Sequence, residues 1–197
     1  MDELQFWLGE LTSGEDERAE AALAGLTSLG DAAPSGSSAL NALGDLAGSA
    51  DEDTRWWALR ALAEFDSPSV QKHLIAALAD EEAAVRECAA LGLRIHPTPE
   101  AVPALVAALN DSDALTADLA ADALIDIGAA AVPALLEVLE GGNTMPQLSA
   151  VRALALIGDP RAIPTLYQAL DTDSMIMEFW ASQGLERMGV GMQLFKP

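Results

Sequence analysis

The chain is poor in the side chains that carry most protein chemistry. It has one cysteine and two histidines among 197 residues, and only 5% of its residues are aromatic. Structural zinc takes about four nitrogen or sulfur ligands. Cys88, His73 and His96 cannot supply them, and there is no His-x-x-x-His or His-Glu pair. No Ser/His/Asp set and no Gly-rich phosphate loop after a strand is present. The expectation is therefore no catalytic, cofactor-binding or metal-binding residue. Cys88 stands beside Ala89 and reads as a buried thiol packing as a small hydrophobe. A single cysteine forms no internal disulfide, which suits a reducing cytosol.

Positive charge is scarce too. Ten basic residues, only Lys72 and Lys196 being lysines, face 31 acidic ones, for a net charge of −21. Such a chain repels phosphate backbones and anionic lipid, so neither nucleic acid nor a membrane is an expected partner. No uncharged apolar run reaches the ~18 residues of a membrane span. Met1-Asp2-Glu3 is acidic where a signal peptide is basic, and a cytoplasmic location is expected. Asp111-Ser112-Asp113 and Asp171-Thr172-Asp173 lack the other ligands of a calcium loop and read as helix caps.

What the chain has in quantity is alanine, leucine and period. Leu26, Leu62, Leu93, Leu124, Leu154 and Leu185 recur at spacings of 36, 31, 31, 30 and 31. Four residues before each stands an alanine: Ala22, Ala58, Ala89, Ala120, Ala150 and Ala181. One before each is Gly25, Ala61, Gly92, Ala123, Ala153 or Gly184. These positions share one face of a helix, here named helix A, whose small residues let a neighbouring helix come close. Gly30, Gly128, Gly158 and Gly189, four residues after the mark, read as helix stops. A second helix, B, opens at Pro103, Pro133 and Pro164 and carries Leu105 and Leu109, Leu135 and Leu139, and Leu166 and Leu170. Leu74 and Leu78 mark the same pair in the second repeat.

Neither helix can bury its stripe alone, so such units stack. The expected fold is all-α, an α-solenoid of about six antiparallel helix pairs in one domain over 1–197. Residues 1–12 form an N-terminal capping helix bearing Leu4, Trp7, Leu8 and Leu11. The repeats fall at about 13–50, 51–80, 81–111, 112–141, 142–171 and 172–197. Gly30 to Ser38 reads as a mobile surface loop, and 189–197 is too short for a last helix B.

Val85-Arg86, Ile127-Gly128 and Ile157-Gly158-Asp159-Pro160-Arg161-Ala162-Ile163-Pro164 carry a family resemblance. The pattern resembles the HEAT-like repeats named after phycobilin lyases, over residues 13 to about 189. The resemblance implies the solenoid; for function it implies only a family of scaffolds, chromophore-lyase subunits and other proteins. The family's Arg near the helix A start is present as Arg55 and Arg86, while Ala19, Ala117, Gln147 and Glu178 stand at the equivalent positions. HEAT-like di-iron hydroxylases need His-Glu pairs, and HEAT-like DNA glycosylases a basic groove, both missing here.

Two surface features stand out. Asp51, Glu52, Asp53, Asp80, Glu81, Glu82, Asp111, Asp113, Glu140, Asp171 and Asp173 fall in inter-repeat loops and would form an acidic ridge able to steer a basic partner. On helix A, Trp56, Arg60, Leu91, Leu148, Arg152, Phe179 and Gln183 point away from the buried stripe, while Trp57 and Trp180 face the core. On helix B, Glu137 and Gln168 line the inner groove. The candidate partner-binding residues are thus Trp56, Arg60, Leu148, Arg152, Phe179, Glu137 and Gln168. The leading expectation is a non-catalytic scaffold, not an enzyme, that binds a protein or peptide partner of basic character. The second reading, implied by the resemblance, is a phycobilin lyase or lyase subunit; the third is a homodimer through the C-terminal repeat.

Overall fold

A computed structural model describes residues 3–31, 38–141 and 144–190. Among them are twelve α-helices, three short 3-10 turns and no strand. The helices are α1 (Glu3–Leu11), α2 (Asp16–Asp31), α3 (Ser38–Leu46), α4 (Glu52–Leu62), α5 (Pro68–Ala77), α6 (Ala83–Ile95), α7 (Val102–Ala108), α8 (Ala114–Ile127), α9 (Val132–Glu140), α10 (Thr144–Ile157), α11 (Ile163–Ala169) and α12 (Met175–Arg187). The fold is all-α, with the antiparallel helix pairs of an α-solenoid, and the helices gather into two compact units, 1–96 and 97–197.

In the first unit α2, α4 and α6 are A helices, and α3 and α5 are B helices. The B helices cover the A layer, α3 against α4 and α5 against α6, while α1 lies on α2 as the capping helix. Trp7 occupies the space above Gly25, where an added Cβ would come within 2.3 Å of its ring. Helix α4 packs far more closely on α6 than on α2. In the second unit the A helices α8, α10 and α12 stand side by side, with α7, α9 and α11 as B helices.

The period-31 marks are the core. All six register leucines are 0–1% exposed, and all six alanines four residues earlier are 0% exposed. The small residues are small for a reason: a Cβ on Gly184 would stand 2.7 Å from the Ala155 backbone. Gly128, Gly158 and Gly189 end their helices at φ of 72°, 69° and 76°, a region closed to most side chains. Gly30 does not. Helix α2 runs through it to Asp31. Pro103, Pro133 and Pro164 each lie in the first turn of a B helix, where no amide hydrogen is missed. A 3-10 turn precedes each of these helices, at Pro99–Ala101, Gly128–Ala130 and Pro160–Ala162.

Of the loop expected over Gly30 to Ser38, Gly30 and Asp31 belong to α2 and Ser38 to α3; 32–37 lie outside the described residues, as does 191–197. Up to Val190 the C-terminus is tied down, its carbonyl accepting a 3.1 Å hydrogen bond from the Tyr167 hydroxyl. Among the described residues no single helix is long and apolar enough to cross a membrane.

Candidate functional site

The acidic loops are first of all structural. Asp51 accepts the Thr54 amide at 2.8 Å and Asp113 the Thr116 amide at 2.7 Å, capping α4 and α8. Helix α12 departs from the pattern: Ser174, not Asp173, accepts the Met177 amide. Arg55 ties two of these loops together. Its Nε and Nη2 each donate to the Asp80 carboxylate at 2.8 Å, and its Nη1 donates to the Ser49 and Ala50 carbonyls at 3.1 and 3.3 Å. Arg86 makes the same carbonyl contacts one repeat on, donating to the Asp80 and Glu81 carbonyls at 3.0 and 3.1 Å. Gln147 holds the equivalent place in α10 and donates its amide to the Leu139 carbonyl at 3.1 Å and to that of Gly141. An uncharged side chain there satisfies the same loop carbonyls, which a search for arginine misses.

The seven surface candidates are divided between the two units. Trp56 and Arg60 lie on α4 in the first unit. Trp56 is half-buried against Trp57, edge to face, with ring centroids 4.8 Å apart, and Arg60 pairs with Glu64 one turn on. The other five are in the second unit. Leu148 and Arg152 belong to α10 and Phe179 to α12, adjacent A helices, while Glu137 and Gln168 sit on the B helices α9 and α11. Arg152 approaches Asp122 at 3.2 Å, Leu148 is half-buried and Phe179 is 55% exposed. Gln168 lines a shallow pocket of about 150 Å³ with Gln147, Thr165 and Thr172; Glu137 is exposed and outside its lining.

Trp57 and Trp180, expected in the core, are only half-buried. Five residues before the mark lies about 90° from the centre of the buried stripe, so the ring straddles core and solvent. The repeat carries a stronger surface signal elsewhere. Nine residues before each register leucine is two and a half turns, half a turn away from the core. In the second unit that position holds Leu115, Met145 and Ile176, all more than half exposed, on the neighbouring helices α8, α10 and α12. In the first unit it holds Glu17, Asp53 and Ala84, also exposed. The same place in the repeat is apolar in one unit and largely acidic in the other.

Reactive groups are occupied by packing. Cys88 is 7% exposed, and burial pushes its thiol up to about 11, far from the thiolate range. His96 donates from Nε2 to the Ala63 carbonyl at 2.9 Å. His73 fills the space over Gly44, where a Cβ would meet its ring at 2.6 Å. Among the described residues no group of three or more His, Cys, Asp or Glu is placed to hold a metal ion.

Comparison with known proteins places this geometry. HEAT repeats match residues 4–94, 40–125 and 72–144. The chain belongs to the HEAT-repeat family. The PBS lyase HEAT-like repeat also matches, at 146–172. Among HEAT-repeat relatives, phycocyanobilin lyase subunit beta of Pseudanabaena tenuis is 42% identical over 89 residues, 45% of this chain and 32% of its own length. The bilin biosynthesis protein RpcF of Synechococcus sp. is 42% identical over 76 residues, 39% of this chain and 36% of its own. The phycocyanin alpha phycocyanobilin lyase CpcF of Synechocystis sp. is 36% identical over 107 residues, 54% of this chain and 50% of its own. The chain thus spans from a third to half the length of the curated relatives it matches. Among solved structures, the complex of CpcE and CpcF of phycocyanin lyase from Nostoc sp. aligns over 94% of this chain and 77% of that one, at 22% identity and a TM-score of 0.54. A designed armadillo repeat protein aligns over 94% of this chain and 99% of that one, at 18% identity and a TM-score of 0.51. These two likenesses are of fold alone.

The relatives overturn the leading functional expectation. They are lyase subunits, not non-catalytic scaffolds, and the expectation that the chain has no part in an enzyme falls with it. The chromophore-lyase reading fits the findings better. The error has a physical source: judging enzyme function by a reactive constellation inside one chain overlooks enzymes whose reacting groups are divided among several chains.

Proposed function

We propose that the chain is a subunit of a bilin lyase, acting with a companion protein on a phycobiliprotein polypeptide in the cytoplasm. One observation carries this reading: relatives 36–42% identical to the chain are named for bilin attachment or bilin biosynthesis. The described residues fit a subunit better than a self-contained catalyst. With Cys88 buried and both histidines committed to packing, the nucleophile for attachment comes from the acceptor polypeptide. The exposed row Leu115, Met145 and Ile176, continued by exposed Phe179 and half-buried Leu148, with Arg152 on the same helix as Leu148, is the face offered to the companion, since exposed apolar patches of this kind mark protein interfaces. Glu137 and Gln168, on the B helices, are the residues offered to the acceptor.

The test is co-expression with a companion lyase subunit, bilin and an apo-phycobiliprotein. A covalent chromophore adduct that appears only when this chain is present is the expected result; no adduct with every component present overturns the proposal. A second reading rests on Met175, Ile176 and Phe179 lying exposed on the last A helix: two copies pair through α12. Sedimentation as a monomer at every accessible concentration removes it.

A further inference from the structure

The loose contact between α2 and α4 leaves a cleft on the first unit. Its middle, about 490 Å³, is lined by Asp16, Glu17, Glu20, Asp53, Trp56 and Trp57. At one end it shares Asp16, Asp53 and Trp57 with a hollow reaching Asp51 and Ser13; at the other it shares Glu20 with a hollow reaching Arg60 and Glu64. From Asp53 to Glu64 it follows α4 for about 16 Å, the span of roughly five extended residues.

We propose that this cleft is a docking groove for an extended basic segment of another protein, with an Arg or Lys side chain laid against the Trp56–Trp57 pair. The charge of the groove selects the occupant. Asp16, Glu17, Glu20 and Asp53 have no basic partner among the described residues. The nearby cations are spoken for: Arg18 by Glu10 and Glu15, Arg55 by Asp80, and Arg60 by Glu64. An apolar helix seated here would strip water from four carboxylates and return nothing for them. A nucleic acid or an acidic peptide would be repelled. A guanidinium or ammonium group meets the carboxylates and the two indoles that line the cleft with them, two attractions that reinforce each other.

The inference does not depend on the lyase reading, because its test contains neither bilin nor a companion subunit. The probe is a fluorescein-labelled hexa-arginine peptide, read by anisotropy against the purified protein. Asp16→Asn/Glu20→Gln/Asp53→Asn should weaken binding at least tenfold. Asp118→Asn/Asp171→Asn/Glu186→Gln, with the same change in net charge on the second unit, should weaken it less than threefold. Equal losses would mean the peptide reads only total charge and would overturn the proposal. Trp56→Ala, at unchanged charge, should cost about three- to tenfold in affinity; no change in a variant of native circular dichroism also overturns it. Should that variant unfold, the wild type still decides: saturable quenching of indole fluorescence by unlabelled hexa-arginine supports the groove, and its absence refutes it.

Discussion

Arg55 and Asp80, 25 residues apart, meet through two parallel hydrogen bonds of 2.8 Å, with Arg55 only 7% exposed. The fork of an arginine matches the two oxygens of a carboxylate, and a lysine cannot reproduce that geometry. Arg55→Lys is therefore expected to lower the thermal midpoint by several degrees, and Arg55→Met by more, because Asp80 is then left half-buried without its cation. Combining Arg55→Met with Asp80→Asn should recover part of the loss, since the orphaned charge is gone. Circular dichroism melts of the wild type, Arg55→Met, Asp80→Asn and the double variant form a double-mutant cycle; strict additivity would show that the pair is not coupled.

Stability should peak on the acid side of neutrality, at about pH 5. Asp51 is held below the ordinary carboxylate range by the Thr54 hydroxyl and amide, and Asp113 by the Thr116 amide. At Asp80 burial pushes the pKa up, but the Arg55 and Glu82 bonds together bring it down. The Arg161 hydrogen bonds hold Asp159 down to about 2. Each of these groups gives up its proton more readily folded than unfolded. Its contribution is full above the unfolded value of about 4 and disappears as pH falls toward the folded one. Glu52 works the other way: repulsion from Glu82 raises its pKa, so its unfavourable contribution develops as pH rises from about 4 toward neutral. Melting midpoints between pH 2 and 8 would show the maximum; a profile flat to pH 3 would contradict it.

The small-residue seam and the leucine spine should fail in different ways. Leu124→Ala leaves a cavity at a fully buried site and should cost about 2–5 kcal/mol by chemical denaturation. Gly184→Leu needs space already filled by Ala155 and Leu166, so overpacking should separate α12 from α10. Faster amide exchange in α12, with α8 protected as before, is the expected signature.

Helix pairing, the Pro starts and three Gly stops were legible in the sequence because each rests on a local rule that Leu, Ala, Pro or Gly obeys by itself. The first repeat's stop was not, because Gly30 is permitted, not obliged, to end a helix. The half-open indoles were misread for a different reason. A wheel gives the angle of Trp57 but not how near α2 comes to α4, and that distance opens the cleft. The apolar row lies off the positions six and two before the mark: the exposed leucine, methionine and isoleucine stand nine before it, where no core residue sets the register.

That ninth position has a consequence for change. It bears no load in the spine, since Leu115, Met145 and Ile176 project into water while the leucines half a turn away hold the helices together. Its identity is thus free to drift or to be rewritten without cost to folding. Exchanging Ile176 for glutamate, or Asp53 for leucine, would alter what the protein sticks to and leave the architecture standing. Selection, or an engineer, can give each unit a new address one side chain at a time.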